Sequence, residues 1–597
     1  MDDIKLKSSA DHIEDLGVVK DSDVLRGEVE VMGTVKLTHG KIIYIPTPTA
    51  DPQGKTDWHP DPLNMSLWQK YVVFIVISIF SCLGLSLISG FGGLLEFYIP
   101  DYTAAGKGYA DITHLMTYPT LFMGIGNLFG MPLAYAVGRR SVLLVSTIIM
   151  IVAAGVAAGA KNFEWHLASR MILGLAAGQS EALVPMITQE VFFLHERSRG
   201  LMIQQTIQVI LTAVWTVFAG PIAGAITPQW WYGLGAILAG VQFLLAVFFV
   251  PETKYHRPMS SFQESSASPS DHKNVDDSEN NAAATPSSDT QSSSGGTTGA
   301  AAAATASMMC TERPPLDYVN FAPRTWHSDM RLWVGDIEWR KGWEAFYQTF
   351  ELVLYPNVFW ALCINGLTLG VNVAIGTTVS GFHPERRRIR GTVKLTWSSH
   401  HPTVRQHRHQ PPYNFPQTSA SYVNTGQIAT ALLALPLFGH GSDGLIRWFS
   451  RRRGGMHEPE TRLVPLIFPM IVGVFTAVLY GLGAAHPERY HWFVYVWAVA
   501  AYYFCFVGAN IVAITYLLDS YPTRAGPLLI IICAFRGIIS FGVSYGITPF
   551  IETAGWDGAF GAFGAMTGFF GLMGIPIYIW GKQIRQFTGR FAKDKSD

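Results

Sequence analysis

Apolar residues in this chain come in long blocks rather than in alternation. Twelve such stretches cover roughly 71–95, 115–137, 141–160, 166–190, 201–225 and 231–250, then roughly 355–378, 421–441, 463–483, 491–517, 525–549 and 558–580. A helix needs about 20 mostly apolar residues to cross the hydrocarbon core of a bilayer. Backbone polar groups cannot be left open in lipid, so each stretch is predicted to be a helix. The expected fold class is an all-α membrane protein with twelve transmembrane helices in two groups of six, separated by a polar linker.

Composition strengthens this picture. Hydrophobic residues make up 49% and charged residues 14% although the tail and linker are polar, so the remainder is strongly apolar. Formal net charge is zero, which gives no reason to expect a nucleic-acid partner. Of the five cysteines, Cys82, Cys363, Cys505 and Cys533 lie in apolar stretches and read as small core residues; Cys310 lies in the linker. No secretory leader is expected, because the first apolar run is too long for one and follows a polar tail.

Arg and Lys in the short loops set the orientation. Arg139 and Arg140, Arg197 and Arg199, Arg447 with Arg451 to Arg453, and Lys582 with Arg585 all fall on one side if both termini are cytosolic. The loop after the first span carries Glu96, Asp101 and Asp111 against Lys107 alone. The expected organisation is a cytosolic tail 1–70, a six-helix bundle 71–255, a cytosolic linker 256–353, a second bundle 354–580 and a cytosolic tail 581–597. Within the linker, 259–311 is Ser, Thr, Ala, Asp and Gly with almost no large apolar residue, and it is expected to be disordered. Further on, Trp343, Phe346, Phe350 and Leu354 recur at helical spacing beside Arg340, Lys341 and Glu344. This reads either as an amphipathic helix at the membrane surface or as an extension of the seventh span.

The sharpest chemical pattern is in the fourth span. Arg170, Gly174, Gly178 and Glu181 lie within about 80° of one another on a helix face, and the glycines permit close helix approach. Ionisable groups in lipid are costly and face a cavity or a partner. One reading makes Glu181 a proton- or cation-binding carboxylate with Arg170 steering proton or substrate; the other makes both parts of an internal ion pair. Arg536 lies about 18 Å into the eleventh span, near the midplane, with Glu181 as a candidate counter-charge or carbonyls as partners. Asn365, Asn372 and Asn510 are candidate substrate contacts, with interhelical bonding as the plainer role, as for Gln205 and Gln208. Tyr502, Tyr503, Phe504 and Phe506 form either a cation-binding wall or packing. There is no catalytic constellation, no phosphate-binding loop and no His/Cys cluster with metal spacing, so no enzyme activity, cofactor or metal is expected.

These motifs together carry a family resemblance. Asp61-Pro62-Leu63-Asn64 with Trp68 and Lys70 before the first span, Gly138-Arg139-Arg140 after the second, and Arg170, Gly174 and Gly178 in the fourth resemble the major facilitator superfamily. Gly220-Pro221 with Gly224, Phe193-Leu194-His195-Glu196-Arg197, Pro251-Glu252-Thr253-Lys254, Asp519-Ser520-Tyr521-Pro522 and a repeat of the loop motif as Gly439, Asp443 and Arg447 extend the resemblance. It covers roughly 43–255 and 340–580 and is nearest to the fungal twelve-span drug:proton antiporter branch, among polyamine- and histidinol-permease-like members. Two positions depart from the pattern. Tyr135 stands where the superfamily carries Asp, which weakens the charge latch of the first half, and Ala225 replaces the last glycine of the antiporter motif.

The resemblance implies two pseudo-symmetric six-helix bundles and alternating access around a central site. The implied function is proton-coupled movement of small organic molecules (a drug, a polyamine-like cation or a secondary metabolite), with efflux as the leading direction. Uptake of a cationic nutrient, or a transceptor-like sensor with little flux, are the alternatives. The implied partners are a small-molecule substrate, protons and the lipid bilayer, for a monomer in the plasma membrane.

The stretch 379–410 breaks these patterns and reads as a retained intron. It should face outward, yet it holds Arg386, Arg387, Arg388, Arg390, Lys394, Arg405 and Arg408, against the charge bias of the short loops. Val379-Ser380 can be encoded by GTGAGT, a splice-donor sequence, and Gln410 by CAG, a splice-acceptor ending; removal of whole codons preserves the frame. The alternative is a genuine basic loop. Sequencing the transcript between the seventh and eighth spans is expected to show mature messages that lack this stretch; messages that all encode Arg386 to Arg408 in frame would refute the reading.

Overall fold

The computed structural model describes residues 62–254, 337–380, 425–441 and 456–592 apart from 193, 522 and 523, with short pieces at 35–36, 330, 409–410, 415–416, 423, 444–445 and 448–449. Among these residues nine helices are long and apolar enough to cross a membrane.

The first half contains α1 (Leu67–Ser89), the short α2 (Leu95–Ala104), α3 (Tyr109–Ala136), α4 (Arg139–Ala158), α5 (Phe163–Val191), α6 (Leu194–Val217) with its continuation α7 (Ala219–Ala225), and α8 (Gln229–Phe249). The second half follows α9 (Trp339–Val353) with α10 (Pro356–Ser380), α11 (Thr425–Pro436), α12 (Ile467–Ala485), α13 (Trp492–Ser520) and α14 (Ala525–Ala592). Non-helical dihedrals at Gly555 (φ 75°, ψ 174°) break α14 into the eleventh and twelfth spans. Helix α3 occupies the second span but is not among the nine, and α11 is only 12 residues long, followed by a π-helical turn at Leu437–Gly441.

Local chemistry explains several boundaries. Helix α1 starts at Leu67 because Ser66 and Gln69 form a reciprocal capping box. The sequence pattern placed that start at 71 and so left Lys70 in the tail; Lys70 is instead buried in the first turn. Helix α6 breaks near Phe218, where Pro221 removes the backbone bond that would reach back to Val217. Gly138, with φ 139°, turns the chain between α3 and α4, and a Cβ there would stand 2.4 Å from a carboxyl oxygen of Glu252.

The helices are apolar on both sides. Residues such as Phe129, Val152, Ile237, Leu244, Leu433, Ile471 and Leu572 point outward and are exposed, as a lipid-facing surface requires. Within the first half, α5 packs closely on α3: a Cβ on Gly174 or Gly178 would stand 2.4 Å from the Pro119 or Met123 carbonyl oxygen. The two halves meet along α3 against α14 and α6 against α11.

Helix α9 is separate from the seventh span, ending at Leu354 before Pro356 opens α10. It buries Gly342, Ala345, Thr349 and Leu352 and exposes Trp339, Trp343, Tyr347 and Phe350. It packs on α3 and on α14, so it spans both halves. At its start the Glu338 N–H donates to the Ala136 carbonyl and the Glu338 carboxylate meets Lys254 at 3.3 Å. Near its end Glu351 pairs with Arg524 at 3.0 Å.

Two pairs of two-residue strands join Val35–Lys36 to Met456–His457 and His409–Gln410 to Phe415–Pro416. Val379 and Ser380 complete the last turn of α10, so the start proposed for the intron lies inside a helix; residues 381–408 lie outside the described residues. So do the linker stretch 259–311, Cys310 and the side chains of Arg197, Arg199, Asp443 and Arg447.

Candidate functional site

The site forms where α5 of the first half faces α14 of the second. Glu181 and Arg536 are both buried, at 9% and 4% exposure. A carboxylate oxygen of Glu181 lies 2.5 Å from Nη2 of Arg536. The partner suggested by the sequence is therefore the one present, and the ion pair joins the two halves. Arg536 Nη1 donates to Asn510 Oδ1 at 2.8 Å, and Asn365 Nδ2 donates to the same oxygen at 3.0 Å. Four candidate residues from α5, α14, α13 and α10 thus make one chain: Glu181, Arg536, Asn510, Asn365.

The chain is not fully satisfied. Arg536 Nε and Asn365 Oδ1 are buried without a hydrogen-bond partner among the described residues, and so is Ser540 Oγ, one turn along α14 from Arg536. Buried polar groups are costly without partners. Asn372, two turns further along α10, is half-buried and takes no part in the chain. A cavity of about 20 Å³ beside Asn510 is lined by Gln205 and Phe506, which is room for about one water. Gln208 pairs with Gln204 at 3.1 Å. Tyr502, Tyr503 and Phe504 are buried, and Phe504 packs on Phe438 and Phe468, which favours packing over a cation-binding wall.

Arg170 pairs with no carboxylate among the described residues. It is fully buried, and its Nε donates to the Leu115 carbonyl at 2.7 Å. Nη2 donates to the Ile88 carbonyl at 3.1 Å, and Nη1 to the Tyr232 hydroxyl at 2.6 Å. The guanidinium lies 4.1 Å from the centroid of the Phe91 ring. One side chain thereby joins the ends of the first, second, fourth and sixth spans.

Of the conformational motifs, Gly138, Arg139 and Arg140 gather at one end of the bundle, whereas Gly174 and Gly178 lie within α5, and Gly220 and Pro221 lie in α7, which packs on Gly90–Gly93 at the opposite end. Arg139 donates to Glu190 from Nε at 2.9 Å and Nη2 at 2.7 Å, while the backbone N–H groups of Arg139 and Arg140 donate to Glu252. Tyr135 does not leave the latch empty. Its ring lies 5.0 Å from the Arg139 guanidinium, and its hydroxyl sits so close to Gly526 that a Cβ there would collide with it. The second half repeats the arrangement with roles exchanged: Glu460, at the start of the ninth span, pairs with Arg585, beyond the twelfth, at 2.8 Å. Arg462 pairs with Asp519. Glu190, Glu460 and Tyr232 were not singled out in the sequence. Pro459-Glu460-Thr461-Arg462, a near copy of Pro251-Glu252-Thr253-Lys254, was the available signal for Glu460.

Among the described residues no group of acidic, His and Cys side chains can hold a metal. Burial pushes the carboxyl of Glu96 up to about 8.

Comparison with known proteins agrees with this architecture. The family described as sugar (and other) transporter matches residues 97–310. An uncharacterized MFS-type transporter of Schizosaccharomyces pombe is 22% identical over 92% of this chain and 89% of its own. Protein HOL1 of Saccharomyces cerevisiae is 22% identical over 99% and 98%. The galactose-proton symporter of Escherichia coli is 24% identical over 32% of this chain and 42% of its own. The xylose transporter XylE of E. coli, in a partially occluded inward-open conformation, superimposes with a TM-score of 0.51 over 85% of this chain and 97% of its own at 13% identity. The chain is thus a multi-pass membrane protein with the major facilitator fold, and the relatives whose names state a role are transporters.

Proposed function

We propose that this protein is a proton-coupled secondary transporter of small cationic or amphipathic organic molecules, working by alternating access. The observation that carries the proposal is the buried Glu181–Arg536 pair across the two halves. Rocking one half against the other must stretch or break it. A proton on Glu181, or a cationic solute that replaces Arg536 as its partner, removes the attraction and releases the halves. Charge at one carboxylate is thereby linked to the conformation of the whole bundle. Asn365, Asn510 and Ser540 supply the polar contacts, with the open atoms of Arg536 and Asn365 available to the solute. Arg170 acts as a tie rather than a steering residue.

Export is the leading direction, on the strength of Gly220-Pro221 and Gly224 in the fifth span, and the assignment to the drug:proton antiporter branch rests on the same motifs. The partial likeness to a galactose-proton symporter favours uptake as the second reading. Both readings place the termini and the Gly138 end in the cytosol. Purified protein in vesicles, screened for uptake and release with and without a pH gradient, decides the direction; solute flux that ignores the gradient in both directions would refute proton coupling.

Deleting 259–311 is expected to leave the initial rate per folded molecule nearly unchanged, since that composition offers nothing to pack. A rate reduced tenfold or more would show that the segment belongs to the transport machinery. Intact flux with loss of a cellular response would favour the sensor reading.

A further inference from the structure

At the end of the bundle opposite Gly138, the halves touch through the last turn of the first span, the start of α3 and the end of α10. The Tyr109 hydroxyl donates to the Thr377 carbonyl at 3.3 Å. Gly92 faces the Gly376 carbonyl, 3.8 Å from where a Cβ would stand. Further in, His114 stacks on Tyr545 with centroids 5.3 Å apart, and Tyr118 meets Phe541 edge-on.

Glu96 stands in α2, which follows that last turn and packs on α3. In the sequence it reads as an ordinary loop acid, but it is only 6% exposed. Neither carboxyl oxygen has a hydrogen-bond partner among the described residues. It lies in the first turn of α2, where an acid is favoured, yet no backbone N–H reaches it. The titratable groups on its own helix are Tyr98, Asp101 and Tyr102, and those at the start of α3, against which that helix packs, are Tyr109, Asp111 and His114. Burial raises the Tyr109 phenol, and Tyr480 and then Glu96 add to it; Tyr109 is also the residue bonded across to α10.

We propose that Glu96 is a proton-binding site of the gate at this end: its carboxyl is neutral while the halves are closed here and ionises when they part. A bare carboxylate is not stable in a dry site without donors. Parting of Tyr109 from Thr377 admits water, and the group returns to the ordinary carboxylate range near ~4.3. In the closed state burial holds it up to about 8. The closed state therefore binds the proton and is favoured at low pH. Between these two values opening releases one proton, and each pH unit of rise shifts the balance toward the open form by at most about tenfold. This site is separate from Glu181 and does not depend on the direction of transport.

The test needs no flux. Thr377, 2% exposed, is replaced by Cys in a full-length chain whose native cysteines are replaced by Ser, and maleimide labelling is followed in detergent. The rate is normalised to that of a cysteine at the exposed position Thr103, which removes the pH dependence of the thiol itself. Between about pH 5.5 and about pH 7.5, the normalised rate is expected to rise several-fold with Glu96 present and to stay flat in Glu96→Gln. A flat profile with Glu96 present, or an equal rise in Glu96→Gln, overturns the proposal. Should Glu96→Gln fail to fold, Glu96→Asp decides: it keeps an ionisable group one methylene shorter, so the rise must persist with a displaced midpoint. An unmoved midpoint would place the titration elsewhere.

Discussion

Glu181→Gln is expected to reduce gradient-driven flux to background while the protein still folds and reaches the membrane. The amide keeps the shape of the side chain and an oxygen able to accept from Arg536, as Asn510 already does at 2.8 Å. What it loses is the negative charge and the capacity to take up a proton. Removing one member of a buried ion pair costs about 3–5 kcal/mol when the other charge is left bare; the Asn510 bond and the amide oxygen reduce that figure here. The halves would then be joined by hydrogen bonds from the Arg536 guanidinium to neutral oxygens, whose strength does not change with pH. Flux driven by a pH gradient in vesicles is the first measurement, and exchange of labelled for unlabelled solute without a gradient is the second. Loss of the first with survival of the second would identify Glu181 as the proton carrier rather than a structural group. Gradient-driven transport at the normal rate would end this account of the site.

Arg170→Ala is expected to fail in a different way, by loosening the first half. The guanidinium is fully buried and holds carbonyls of the first and second spans, the hydroxyl of Tyr232 and the face of Phe91 at once. Truncation removes these bonds and leaves a cavity among four helices, which together cost about 3–5 kcal/mol. The thermal midpoint in detergent should fall by on the order of 10 °C. Lysine should not restore it, because one ammonium cannot match a planar fork that reaches several acceptors and stacks on a ring. A variant that keeps the normal midpoint and loses only coupling or solute affinity would return Arg170 to the transport site.

Much of this was legible in the chain because lipid restricts what a sequence can do. Gly174 and Gly178 one turn apart beside an acid predict a close helix contact, and that contact is made with α3. A buried arginine in the eleventh span needs a counter-charge, and Glu181 meets that need. The failures also have physical reasons. Helical periodicity finds the apolar stripe of α9 but cannot tell whether a helix continues or restarts, and here Pro356 decides. Glu96 reads as a loop charge because exposure is a property of the fold around it, not of its neighbours in sequence. The arrangement of Arg170 was hidden for the same reason: its acceptors are carbonyl oxygens, which every residue carries. Tyr135 departs from the superfamily pattern, and only the position of Gly526 opposite its hydroxyl shows what the larger side chain does there.

The ion pair between Lys254 and Glu338 has a further consequence for the connection between the halves. It brings the two ends of the segment 255–337 together as in a ring, and within the segment Met330 also meets Arg140 at 3.4 Å. Lengthening a flexible ring costs only about 0.6 kcal/mol for each doubling of its length. Relative placement of the bundles is carried instead by α9, through Glu338 at one end and Glu351 at the other. A whole reporter domain can therefore be inserted within 259–311 at little energetic cost, whereas a single proline in the middle of α9 would act on both halves at once.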